Sequence, residues 1–159
     1  MSDILLSQEQ LQKLVSGIMK GATVGQAVGI SRDTLESLYA LGHGLYTSGN
    51  YHDAQVVFQA LSIYDPNDYR FWMGLAGCRQ ALEQYQAAID AYQMAAVATT
   101  LHNPEPFLFA ARCLLKLGRK DDAVVAIQAL LTLGSKDDPR VAVCHEKAKA
   151  LLAILQAEG

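Results

Sequence analysis

Apolar positions recur along the chain in bursts of helical spacing, separated by short polar turns, and the bursts themselves repeat. Aligning Ala54, Ala88 and Ala123 brings Leu38, Trp72 and Phe107 into register sixteen residues upstream and Phe58, Tyr92 and Ile127 four residues downstream. The spacing is 34 residues and then 35. A period of that length predicts stacked helix–turn–helix units, each too small to bury its apolar face alone.

The elements follow from the same pattern. Ser7 with Gln10 reads as a capping box, and Leu11, Leu14, Val15, Ile18 and Met19 then form one apolar face of an N-terminal helix over about 8–20. Gly21, Gly25 and Gly29 predict an irregular hinge, and Asp33 with Glu36 predicts the next helix start. Repeat one spans 35–68, its first helix carrying Leu38, Leu41, Gly42 and Leu45, its turn Ser48-Gly49-Asn50 and its second helix Ala54, Phe58 and Leu61, stopped at Asp65-Pro66. Repeat two spans 69–102, with a turn at Leu82-Glu83-Gln84 that lacks glycine. Repeat three spans 104–137, with Asn103 as N-cap and Pro104 at the first helical position. Asp138-Pro139 opens a last helix over 138–159, whose Ala148, Leu151, Leu152 and Leu155 form a stripe fit to cap repeat three. Residues 1–34 stand outside the repeats, and their apolar face must either fold back on the first repeat or pack against a second copy.

This is the tetratricopeptide pattern, and the fold class is all-α: three repeats in a superhelix between an N-terminal amphipathic helix and a C-terminal capping helix. In such stacks the second, fifth, ninth and twelfth positions of each repeat face the inner groove. They are Glu36, Tyr39, His43 and Tyr46; Arg70, Met73, Gly77 and Gln80; Glu105, Leu108, Arg112 and Leu115. Two tyrosines and a histidine on one helix face, continued by Met73, Leu108 and Leu115, suit an extended peptide held by side-chain anchors. A carboxylate clamp of the kind that holds heat-shock protein termini would need lysine and asparagine where Tyr39, His43 and Glu105 stand. Arg70 and Arg112 are the inner cations of this reading.

Composition narrows the function without naming it. The hydrophobic fraction of 51% provides a core, and a net charge of −3 offers no footprint for nucleic acid. Residues 35–102 hold two arginines against six carboxylates, which favours a basic partner segment. The apolar run Ile4-Leu5-Leu6 is too short for a leader, and no run reaches membrane-spanning length. Three cysteines without a framework fit a reducing cytoplasm, and Cys78 with Cys113 share the tenth place of their repeats, a packing position. His43, His52, His102 and His145 are scattered, so neither a metal, a cofactor nor an enzymatic motif is read from the chain.

Three strings are more specific than generic repeats: Asp33-Thr34-Leu35-Glu36-Ser37-Leu38-Tyr39, Val57-Phe58-Gln59-Ala60-Leu61, and the run from Arg70 through Trp72 to Gln80. With Gly21-Ala22-Thr23 after the first helix, they resemble the class II chaperones of bacterial type III secretion, over residues 8–157. The resemblance implies a cytoplasmic chaperone of a Gram-negative bacterium, not an enzyme, whose clients are hydrophobic translocators. It implies a client segment spaced Pro-x-Leu-x-x-Pro in the groove, with the family's groove tyrosines at Tyr39, Tyr46, Tyr51 and Tyr92. It also implies a homodimer through the N-terminal helix, and for some members a transcriptional regulator as a further partner. A tetratricopeptide adaptor for another bacterial complex is the competing expectation.

Overall fold

The computed structural model describes residues 7–158. Met1–Leu6, which contain the Ile4–Leu6 run, and Gly159 lie outside the described residues. Those described form nine helices: α1 (Gln8–Met19), α2 (Val24–Ala27), α3 (Arg32–Thr47), α4 (Tyr51–Tyr64), α5 (Tyr69–Ala81), α6 (Tyr85–Ala98), α7 (Glu105–Lys116), α8 (Lys120–Leu130) and α9 (Pro139–Ala157). From α3 onward each helix packs on the next in sequence, and α9 covers α8 and α7. The three repeats are α3–α4, α5–α6 and α7–α8.

The period fills the core. Ala54, Ala88 and Ala123 are wholly buried, and Phe58, Tyr92 and Ile127 are at most 2% exposed. Small residues let the first and second helices of a pair approach. A Cβ on Gly42 would lie 3.1 Å from the Phe58 ring, and one on Gly74 would lie 2.3 Å from it. The Phe58 ring is therefore wedged between α3 and α5, and only glycine at 74 admits it. Leu61, Leu75, Ile127 and Leu130, at most 1% exposed, each contribute about 1.5–3 kcal/mol by burial.

The turns repeat with one exception. Gly49 and Gly118 adopt left-handed φ of 82° and 72°, and Glu83 takes the same conformation at 60° in the turn without glycine. Pro104 stands at the N-cap of α7 and not at its first helical position, and Asn103, one residue further out, accepts from the Glu105 N–H at 3.0 Å through Oδ1.

Three further expectations are corrected. The second helical segment is not an irregular hinge: α2 is a one-turn helix with a Thr23–Gln26 capping box, and Gly25 is buried where a Cβ would stand 2.9 Å from the Tyr64 carbonyl oxygen. α3 is capped two residues before Asp33, at Ser31, whose side chain accepts from the Thr34 N–H, and the helix begins at Arg32. Leu41, read as a packing position, is 53% exposed, whereas its equivalents Leu75 and Ala110, each with a preceding repeat, are buried.

Candidate functional site on the inner face

The first helices α3, α5 and α7 present the inner positions side by side, because residues one period apart become neighbours. Tyr39 meets Phe58 edge-on and Phe71 at a tilt, each with ring centroids 6.0 Å apart, and His43 lies 6.2 Å from the Tyr39 ring. Tyr46 packs edge-on against Tyr51 at 5.3 Å. Its ring lies across Gly77, 3.5 Å from where a Cβ would stand. Partial burial raises the Tyr46 phenol above its ordinary value, so it remains a neutral hydrogen-bonding group at physiological pH.

Charge sets one rim of this face. Arg70 donates to both oxygens of Glu36, at 2.6 and 3.3 Å, and to both oxygens of its own N-cap Asp68, at 3.0 and 2.7 Å. Arg32 donates to Asp68 at 2.6 Å and to Asp65 at 3.0 Å. The Arg70 guanidinium also stands 4.8 Å from the Tyr39 ring centroid. Its hydrogen bond holds the Glu36 carboxyl below its usual range. Burial pushes the Asp68 carboxyl up, but hydrogen bonds from Arg70 and Arg32 outweigh it and the net direction is down. Arg70 is thus saturated by the chain itself and is no free receptor for a carboxylate.

The predicted residues divide by depth. Tyr39, Met73, Gln80 and Leu115 are half-buried with Glu36, Tyr51, Arg70 and Gly77, while His43, Tyr46, Glu105 and Arg112 are exposed. Tyr92 and Leu108 are corrected as surface contacts: at 2% and 3% exposure they form the wall behind the face. The Tyr92 hydroxyl donates to Gln80 Oε1 at 2.7 Å, its ring stacks on Phe109 at 5.5 Å, and burial raises its phenol. Arg70 and Arg112 are also not the only inner cations, because α9 continues the face with Arg140 and Lys147. Sequence reasoning missed Phe71, Phe109 and the Arg32–Asp65–Asp68 cluster. The Glu36–Arg70 pair was within reach, since both hold the second place of consecutive repeats.

Cys78 and Cys113 are wholly buried, and burial pushes both thiols up to about 11. α1 buries no residue: Leu11, Val15, Ile18 and Met19 are 49%, 47%, 41% and 83% exposed, and Leu14 is half-buried. No helix of the described residues is long and apolar enough to cross a membrane.

A tetratricopeptide-repeat family model matches residues 39–103. The chain is 43% identical over 117 residues to the low calcium response locus protein H of Yersinia pestis, covering 74% of this chain and 69% of that protein. It is 37% identical to the type III secretion translocator chaperone SycD of Yersinia enterocolitica, with a TM-score of 0.77 over 84% of this chain and 98% of that one. PcrH, solved in complex with the chaperone-binding region of PopD, is 37% identical with a TM-score of 0.75, over 82% of this chain and 96% of that one. The chain belongs to the family of type III secretion translocator chaperones.

Proposed function

We infer that this chain shields a translocator in the bacterial cytoplasm before export, holding an extended client segment on the inner face of α3, α5 and α7. The observation that carries this is the aromatic floor of Tyr39, Tyr46 and Tyr51 beside half-buried Met73, with the Tyr46 ring laid across Gly77. Aromatic rings supply broad contact area at small entropic cost, and the phenols supply hydrogen bonds to an extended backbone. Support also comes from PcrH, which binds the chaperone-binding region of PopD. A six-residue extended segment reaches roughly 20 Å, enough to cross three first helices at about 8–10 Å spacing. Masking that segment lowers the free population of an aggregation-prone client by mass action. A few anchors rather than an extensive interface keep release possible.

The test is calorimetric titration with a synthetic peptide spanning the PopD chaperone-binding region. Tyr39→Ala with Tyr46→Ala is expected to weaken binding roughly tenfold or more, with the circular dichroism of the free chain unchanged. Unaltered affinity in the double variant would place the client elsewhere on the molecule.

A further inference from the structure

The junctions α3–α5 and α7–α9 are built on one plan and filled differently. α5 and α9 open with the same motif, Asp68-Tyr69-Arg70 and Asp138-Pro139-Arg140, two repeats apart. In both, the N-cap aspartate accepts from the arginine N–H, at 3.1 and 2.9 Å, and from the guanidinium of that arginine. In both, the preceding first helix carries a glutamate at its second place, Glu36 or Glu105.

At α3–α5 the space between these groups is closed. Tyr39 and Phe71 fill it, Arg70 lies over both rings at 4.8 and 5.7 Å, and Glu36 pairs with Arg70. At α7–α9 the residues in the places of Tyr39 and Phe71 are Leu108 and Val141. Both aromatic rings are gone, and a cavity of about 700 Å³ opens there. Glu105 and Arg140 do not pair, and the Arg140 side chain is 92% exposed. The cavity is walled by Leu108, Phe109, Val141 and Val143, and its charged lining is Arg112, Arg140 and Lys147 against Glu105 and Asp138, of which Asp138 is taken up by Arg140. The two further cations are Arg112 and Lys147. Neither of those two cations forms an ion pair among the described residues. The Arg112 guanidinium is held 5.3 Å over the Phe109 ring. The loop that brings Thr99, His102 and Asn103 to the rim turns through Thr100 and Leu101, both left-handed with φ of 52° and 63°.

We propose that the α7–α9 cavity is a second client anchor that takes an aromatic side chain flanked by acidic residues. The internal counterpart shows what fills such a junction: rings lying beneath the guanidinium of the Asp-x-Arg motif. The lining here is apolar where those rings would stand, and the unpaired Arg112 and Lys147 complement a carboxylate on either side of the ring. The site is continuous with the tyrosine face, since Leu108 and Arg112 are the next inner positions after Met73 and Gly77. Its role as a client anchor rests on the proposed function, whereas its ligand chemistry does not.

The probe is acetyl-Asp-Phe-Asp-amide, titrated into the full chain with ¹³C-labelled valine and leucine methyls. Saturable shifts are expected at Val141, Val143 and Leu108, with a dissociation constant in the millimolar range. They are expected to vanish in Leu108→Tyr with Val141→Phe, which fills the cavity as the first junction is filled, and to weaken several-fold in Lys147→Glu. Circular dichroism checks the fold of the filled variant, and Val143→Trp blocks the same space if that variant does not fold. Absence of saturation at roughly 20 mM, or equal shifts with acetyl-Asp-Ala-Asp-amide or acetyl-Lys-Phe-Lys-amide, overturns the site. Full-length PopD then tests the anchor: Lys147→Glu weakens it several-fold while the short PopD peptide binds as before. Loss of binding by the short peptide in the tyrosine variant, together with indifference of full-length PopD to Lys147→Glu, would keep the groove and remove the anchor.

Discussion

The two terminal helices carry the same kind of signal and meet different fates. Both α1 and α9 begin at a side-chain cap and both carry an apolar stripe. α9 buries Val141, Cys144, Ala148 and Leu155 against α7 and α8, standing where the first helix of a fourth repeat would stand. α1 buries nothing and packs on the short α2, which is held to the end of α4 by the close approach of Gly25 to Tyr64. An apolar stripe states that something must cover it. Chain connectivity decides whether the cover is the same molecule. The exposed Leu41 adds to this: among the described residues, nothing closes the N-terminal end of the stack as α9 closes the other end.

The comparison predicts its largest effect at Ala148, which is wholly buried on the packed face of α9. Ala148→Asp places an unpaired charge there, and a cost of about 3–5 kcal/mol is expected. For a chain of this size that lowers the melting temperature by roughly 10 °C or more. A thermal melt near wild type would mean that α9 adds little to the stack and that the contrast with α1 is false.

The same kind of change on α1 is expected to act on assembly instead. We propose that Leu11, Leu14, Val15, Ile18 and Met19 pair with a second copy, since a two-fold dimer buries one face on itself. Several half-exposed apolar side chains, each contributing about 1–2 kcal/mol on full burial, support a dimer of moderate affinity. Leu14→Asp with Ile18→Asp is expected to halve the mass seen by light scattering while the far-ultraviolet spectrum is kept. A wild-type chain that is monomeric at high micromolar concentration would sink this pairing and leave the inner face untouched.

Much of this was legible because repetition converts spacing into contact. Aligning the three alanines predicts the buried aromatic and branched positions, the helix pairs, and the neighbour relation among inner residues. What escaped was what repetition does not encode. Ser31 and Asp33 each have a capping partner three residues on, so the start of α3 is ambiguous until the Thr34 N–H is seen to choose Ser31. Gly25 has the look of a helix breaker, but its constraint is the distant Tyr64 carbonyl. Leu41 shares its register with Leu75 and is exposed because an end repeat lacks a neighbour. The inner register carries into α9 as well, yet a helix expected only to cap hid Arg140 and Lys147 from the inventory of the groove.

The smallest expected effect separates the two helices by their caps. Ser7 accepts from the Gln10 N–H at 3.2 Å, and Asp138 accepts from the Arg140 N–H at 2.9 Å. Each satisfies a donor that the first turn would otherwise leave open. Because α1 is not part of the stacked core, Ser7→Ala frays α1 locally and leaves the main melting transition where it was. Because α9 closes the stack, Asp138→Ala lowers that transition, by about 2–4 °C for a typical cap in a domain of this size. The second effect also depends on pH in a stated direction. The backbone hydrogen bond from Arg140, followed by its guanidinium, holds the Asp138 carboxyl below its ordinary value in the folded chain. A depressed folded pKa means stability that is present above the unfolded value and lost as pH falls through the folded one. The gap between wild type and Asp138→Ala is therefore full at neutral pH and closes on acidification below the usual carboxylate range. The gap between wild type and Ser7→Ala stays near zero throughout. Melts of both pairs across acidic pH measure this, and a Ser7 gap equal to the Asp138 gap at neutral pH would show α1 to be as much a part of the folded stack as α9.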